Sequence, residues 1–251
     1  MKQFFGFLLS LTVLMATQSS FSHPSLQDKP LASSFEDITA WYDGPQKFQD
    51  RTFDELGIRG PSHLTNVAVN NTTVLQGPSE IYNCIFYGYL DISGPLKAVD
   101  CKCAGGFHAL GPVLLSTFEA DKGMLAKSSV KADRAVFNSG GEVFGPFHAR
   151  DCHSFADMKV HGPVSVFGGS YGFLTAVHKA CIYGSSVDEL EVEPIGSKKS
   201  EVKVGLGAKV KKVTFKGSDG VVFVDQKIPE NDLPKTNGSI KRLRSVQVPS
   251  F

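Results

Sequence analysis

The chain has one tryptophan and four methionines in 251 residues, and neither sign of charge is in excess, with 26 Lys and Arg against 25 Asp and Glu. A balanced chain has no net field to draw it to nucleic acid or to an acidic membrane surface. Beyond Ser22 no apolar run is long enough to span a bilayer. No phosphate-binding glycine loop, nucleophile elbow, metalloprotease helix or Cys-x-x-Cys pair occurs. The sequence therefore nominates no catalytic, cofactor-binding or metal residue, and it implies no cofactor. What it holds in quantity is glycine, 25 residues, a balance that suits a turn-rich β protein better than a helical one.

Residues 1–22 read as a cleavable signal peptide. Met1-Lys2 gives a short positive start, Phe4 to Ala16 is almost unbroken apolar sequence, and Ser20 and Ser22 place small residues before a cut at His23. No cysteine follows the apolar core, which speaks against a lipid anchor. The expectation is an exported protein, periplasmic or extracellular, with no transmembrane segment in the mature chain.

Gly-Pro dipeptides begin at Gly44, Gly60, Gly77, Gly94, Gly111, Gly145 and Gly162. From Gly60 onward one interval recurs, doubled only between Gly111 and Gly145, so one beat is missed, at Ser128-Ser129. Such periodicity marks stacked supersecondary units. With each Pro as position 1, positions 2, 4, 7, 9, 13 and 15 become apolar columns. Position 4 reads Leu64, Ile81, Ala98, Leu115, Ala132, Ala149, Val166, and position 15 reads Leu75, Ile92, Ala109, Ala126, Val143, Val160, Val177. Columns paired two apart have the period of a strand with one buried face. Three pairs predict three short strands per coil, turning where Gly, Asp, Asn and Ser collect. The fold class expected is all-β, a right-handed parallel β-helix (solenoid) of 17-residue, three-strand coils, the hand following the crossover rule.

The pattern divides the chain into residues 1–22, an N-terminal segment 23–52 that is a candidate cap, a β-helix over 53–228, and a flexible tail over 229–251. The helix is expected to stay regular to about Lys179, with irregular coils after it. Val187-Asp-Glu-Leu190-Glu-Val192 repeats the coil motif slightly early.

Five cysteines fall on inward positions: Cys84, Cys101 and Cys152 at position 7, Cys103 at 9 and Cys181 at 2. Cys84 and Cys101 occupy successive coils, close enough for a bridge, and the alternative is a ladder of buried thiols packing like Ala or Val. His161 and His178 share position 16 and are expected to stack at an outer corner, while His148 and His153 point outward. Asp100 and Asp151 share position 6 three coils apart, too far for a catalytic carboxylate pair. Asp133 beside Arg134 and near Arg150 reads as a surface ion pair. The acidic run Asp188, Glu189, Glu191, Glu193 is a candidate for a cation or a partner, unless it is neutralised across adjacent coils by the basic residues that follow, Lys198, Lys199, Lys203, Lys209, Lys211 and Lys212. Asn70, Asn71 and Asn237 begin glycosylation sequons.

Compact three-sided coils of this length, with apolar pairs followed by Gly as in Leu90-Asp-Ile92-Ser-Gly94 and Met158-Lys-Val160-His-Gly162, resemble the bactofilins, polymer-forming bacterial β-helix proteins. The likeness covers about residues 53 to 192 and implies a β-helix able to associate end to end. The signal peptide and the Gly-Pro corners depart from that family, whose members are generally cytoplasmic. The function expected is a non-catalytic structural or interaction protein of the envelope or secreted space, whose partners are itself, envelope components or glycans. The alternative is a glycan-binding or polysaccharide-active β-helix protein. Uniformly short corners weigh against the walled cleft an enzyme needs.

Overall fold

The computed structural model describes residues 38–217 and 219–247. The signal peptide, residues 23–37 of the N-terminal segment and the last four residues lie outside them. The described chain is a parallel β-solenoid of about 12 turns, its 25 strands joined in one sheet. Residues one repeat apart become neighbours: Leu96 pairs with Val113 and Val113 with Val130. The second step crosses Ser128-Ser129, so the missed Gly-Pro beat costs no register.

The inward columns are buried as their apolar character demands. Leu64, Ile81, Ala98, Leu115, Ala132, Ala149 and Val166 line one face of the core. Along Ser62–Val69 both Leu64 and Val67 are buried, although the odd spacing between them breaks simple alternation. Alternation alone would send Val67 outward. The switch is Asn66, whose φ of 54° is left-handed, and its equivalents Asp50, Asn83, Asp100, Thr117, Arg134 and Asp151 share that conformation. One left-handed residue per coil bends the strand so that both arms bury their apolar side chains.

The register shifts earlier than the sequence suggested. Ser154 pairs with Tyr171, a full repeat on, but Met158 pairs with Leu174, one short of a repeat. Gly172-Phe173 makes this corner with a dipeptide where Phe155-Ala156-Asp157 makes it with a tripeptide. Position 15 therefore passes to Ala176, opposite Val192, and Val177 turns outward. The same slip puts Ala180 in the inward column and sets Cys181 opposite the outward Ser165, correcting its expected inward placement. Two successive shortened coils explain why Leu190 and Val192 arrive early. Longer coils follow, as in the pairing of Leu190 with Val213.

The stack also reaches past both expected boundaries. Trp41–Asp43 and Gln46–Phe53 already pair in parallel with the next coil, so much of the N-terminal segment is itself a coil. Its inward Tyr42, Phe48 and Phe53 close the lumen as an aromatic plug, with ring centroids 5.0 to 6.2 Å apart. At the other end Lys235–Thr236 and Ser239–Leu243 continue the ladder into the segment read as a tail. Ile228 and Leu233 pack on the core there.

Candidate functional site: a polar groove above Cys84 and Cys101

The left-handed corner builds a continuous polar column along the first coils. Because each corner residue sits at the same phase of its coil, the side chains stack about 4.8 Å apart. Asn83 donates to Asn66, and Asn66 donates to Asp50, each at 2.7 Å. Asp100, Thr117 and Arg134 extend the column. Beside it run Ile85, Lys102, Glu119 and Val136. Lys102 bridges Glu119 at 3.1 Å and Asp121 at 3.2 Å, and these hydrogen bonds raise its ammonium pKa. The two columns flank an open groove of ≈ 400 Å³.

Cys84 and Cys101 form the floor of the groove. Each thiol donates to the carbonyl two residues back, Tyr82 at 3.2 Å and Val99 at 3.1 Å. The Cys84 amide donates to the Cys101 sulfur at 3.4 Å. Hydrogen bonding to Cys101 holds the Cys84 thiol down to about 7, while the same contact and burial push Cys101 up. Burial, with a smaller push from nearby carboxylates, raises Cys103 to about 12 and Cys152 to about 11. All five cysteines are free and buried; Cys84 and Cys101 stack in adjacent coils, whereas Cys181 lies outside the inward column. The groove thus offers amides, a hydroxyl and charges of both signs to a polar ligand. Asp100 and Asp151 remain three coils apart, with Thr117 and Arg134 between them.

The remaining candidates disperse. His161 does not stack on His178: its ring lies on Phe144 with centroids 4.4 Å apart, and its Nε2 meets Glu142 at 2.8 Å. The short corner moved His178 one place on, into a left-handed turn. Lys127 covers the other face of Phe144 at 3.7 Å. His148 is half-buried and its pKa is lowered, by burial first and then by Lys131, while His153 contacts Ser170 at 2.8 Å. Arg134 pairs with Asp133 at 3.1 Å on the surface.

The acidic run lies against the basic one, Asp188 on Lys211 at 2.8 Å, Glu189 on Lys212 at 3.4 Å and Glu193 on Lys216 at 3.1 Å. Neutralisation across the coils leaves little charge for a cation. Among the described residues no three potential ligands converge on a metal position, and no helix is long and apolar enough to cross a membrane. Asn237 spends its carboxamide on both backbone groups of Phe215, so that sequon is structurally committed.

Sequence reasoning missed one pair. His108 Nδ1 lies 2.6 Å from Asp91 Oδ1, and both side chains are 2% exposed. They share position 14 in successive coils, so their proximity was readable. Their burial was not, because position 14 points away from the core. Tyr89 lies nearby, its pKa pushed up to about 12 by burial and then by the Asp91 charge.

Protein-family models, curated proteins and solved structures contain no match to this chain.

Proposed function

We propose that this chain is an exported, non-catalytic structural or interaction protein of the cell envelope or secreted space, which presents side-chain ladders to its partners. The observation that supports this reading is the stack of equal coils between Ser62 and Tyr171. Corners of constant phase turn single residues into columns such as Asp50–Asn66–Asn83, and repeated spacing suits a repetitive partner or another copy of the chain. Both terminal coils carry strands paired on one side only among the described residues, and such edges template further pairing. End-to-end association, the property implied by the bactofilin likeness, is therefore part of the proposal. Charged side chains on the Gln46–Phe53 strand (Lys47, Asp50 and Arg51) oppose it.

Sedimentation velocity of the purified protein over a wide concentration range, with negative-stain imaging, tests the assembly. Filaments or a concentration-dependent series of oligomers are expected. A monomer at high concentration would remove the polymer and leave lateral binding alone. N-terminal sequencing tests the export reading, which expects a mature chain beginning at His23.

The groove supports a second reading, glycan binding. Amide, carboxylate, hydroxyl and guanidinium groups side by side match the hydrogen-bonding needs of a polyhydroxylated chain. A glycan array with the Asn83→Ala/Arg134→Ala variant as control separates this from the scaffold reading, and release of reducing sugar would replace both with an enzyme.

A further inference from the structure

The inward column at position 7 carries two thiols in succession. It runs Val67, Cys84, Cys101, Phe118, Ala135 and Cys152. The other inward thiols have no such neighbour: Cys103 lies between Phe86 and Ala120, and Cys152 between Ala135 and Gly169. The pairing of Ile85 with Lys102 fixes Cys84 opposite Cys101. In-register neighbours of a parallel sheet stand about 4.8 Å apart, inside the range of Cα separations that a disulfide spans.

The ladder is interrupted at the first of the two. Asn83 and Cys84 lie outside the strands, between Ser79–Tyr82 and Ile85–Phe86, whereas Cys101 belongs to the continuous strand Leu96–Cys103. The Cys84 amide is bonded to the Cys101 sulfur and not to a carbonyl. Backbone held this way opens locally more easily than a strand paired along its length. Both residues line the floor of the open groove, so an opening at this corner leads to solvent.

We propose that Cys84 and Cys101 are a thiol–disulfide exchange pair, which a small-molecule disulfide converts into a covalent bridge between two coils beneath the groove. The Cys84 thiolate attacks one sulfur of the external disulfide and breaks its S–S bond. Half of that molecule leaves as a thiolate and takes up a proton equivalent to the one Cys84 gave to solvent. Cys101 then loses its proton and attacks Cys84 Sγ in the mixed disulfide, expelling the second half as a thiol. Two protein thiols have given up two electrons and two protons, and the external disulfide has gained both. Cys84 is the attacking group because contact with Cys101 holds its thiol down to about 7, where the thiolate is both populated and nucleophilic. Cys101 is pushed up chiefly by that same contact, and capture of Cys84 removes it.

Oxidation of the reduced, folded protein with hydroxyethyl disulfide tests the pair. Trypsin cuts after Arg59, Lys97, Lys102 and Lys122, so Cys84, Cys101 and Cys103 fall on three separate peptides. The expected product has lost two hydrogen atoms, joins the Cys84 and Cys101 peptides, and leaves Cys103 and Cys152 as thiols. Cys101→Ser keeps a hydrogen-bond donor beside Cys84 and should trap one hydroxyethylthio group there. Cys84→Ser should take up the reagent at least about tenfold more slowly, because a thiol pushed up by burial is a poor nucleophile. No reaction, a stable adduct on the unsubstituted protein, or a mixture of bridges that includes Cys103 or Cys152 would overturn the pair, the mixture by showing that the thiols react only in the unfolded chain. Equal adduct rates in the two serine variants would overturn the role of Cys84 as the attacking thiol.

Discussion

Asn83 donates its side-chain amide to the side-chain oxygen of Asn66 across 2.7 Å, one coil below. Both residues are left-handed, with φ of 52° and 54°. Asn tolerates this conformation better than other side chains because its short amide can bond locally. The same residue type thus makes the corner and links it to its neighbour. The ladder does not stay optimal: the corner passes through Thr117, a β-branched residue at φ 50°, and Arg134 at 52°.

Thr117→Asn should therefore stabilise the protein. A β-branched side chain in the left-handed region carries a strain of about 1–2 kcal/mol, and an Asn amide there faces the Asp100 carboxylate in the coil below. A rise of a few degrees in Tm is expected by calorimetry. An unchanged or lower Tm would mean that the neighbouring coils have already relaxed the strain.

Gly169→Ala should have the opposite effect. Gly169 has φ 82°, and a Cβ there would lie 1.8 Å from the Cys152 carbonyl oxygen. A clash with backbone in a sheet paired on both sides cannot be relieved by a rotamer change, so a loss of about 3 kcal/mol or more is expected. Denaturant titration with Gly172→Ala as the control measures it, since a Cβ at Gly172 meets nothing within 4 Å.

Phe137 and Phe155 provide a contrast of burial on one residue type. Phe137 is fully buried against Phe147, and Phe155 is 72% exposed. Phe137→Ala should cost about 3–5 kcal/mol, while Phe155→Ala should stay within about 0.5 kcal/mol. A large loss at Phe155 would show that another chain or segment covers it in solution.

The thiols predict a pH profile with two slopes. Cys84, held down to about 7, loses its proton in the folded chain before the unfolded thiol does near 9.0. The folded state then binds fewer protons, so stability rises between about pH 7 and 9 and is lost again as pH falls through 7. Cys101, Cys103 and Cys152 are pushed up, so above 9 the unfolded chain releases protons that the folded chain keeps. Stability then falls as pH climbs. Thermal melts from pH 6 to 11 should show the maximum near 9. Cys101→Ala should remove the rising limb, and Cys103→Ala/Cys152→Ala should flatten the falling one.

Much of this fold is legible in the residues themselves. The Gly-Pro spacing and the paired apolar columns specify parallel coils because every coil must bury the same positions against the next. The Cys84–Cys101 stack follows from that spacing, whereas Asp188 and Glu189 meet Lys211 and Lys212 across a longer coil that the spacing does not give. The groove is harder to read, because its walls come from positions 6 and 8 of several coils. Their side chains converge only when the left-handed corner bends the strand.

Sequence alone determined the repeat length, the parallel stacking and the inward columns, since burial of apolar side chains at a fixed period admits no other arrangement. Tertiary structure decided where that period breaks. A corner shortened to Gly172-Phe173 exchanges Val177 for Ala176 and turns Cys181 out of the inward column, and no local preference announces the lost residue. It also decided that Asp91 and His108, outward by phase, are buried against each other, because burial of an outward position is set by its surroundings and not by the repeat.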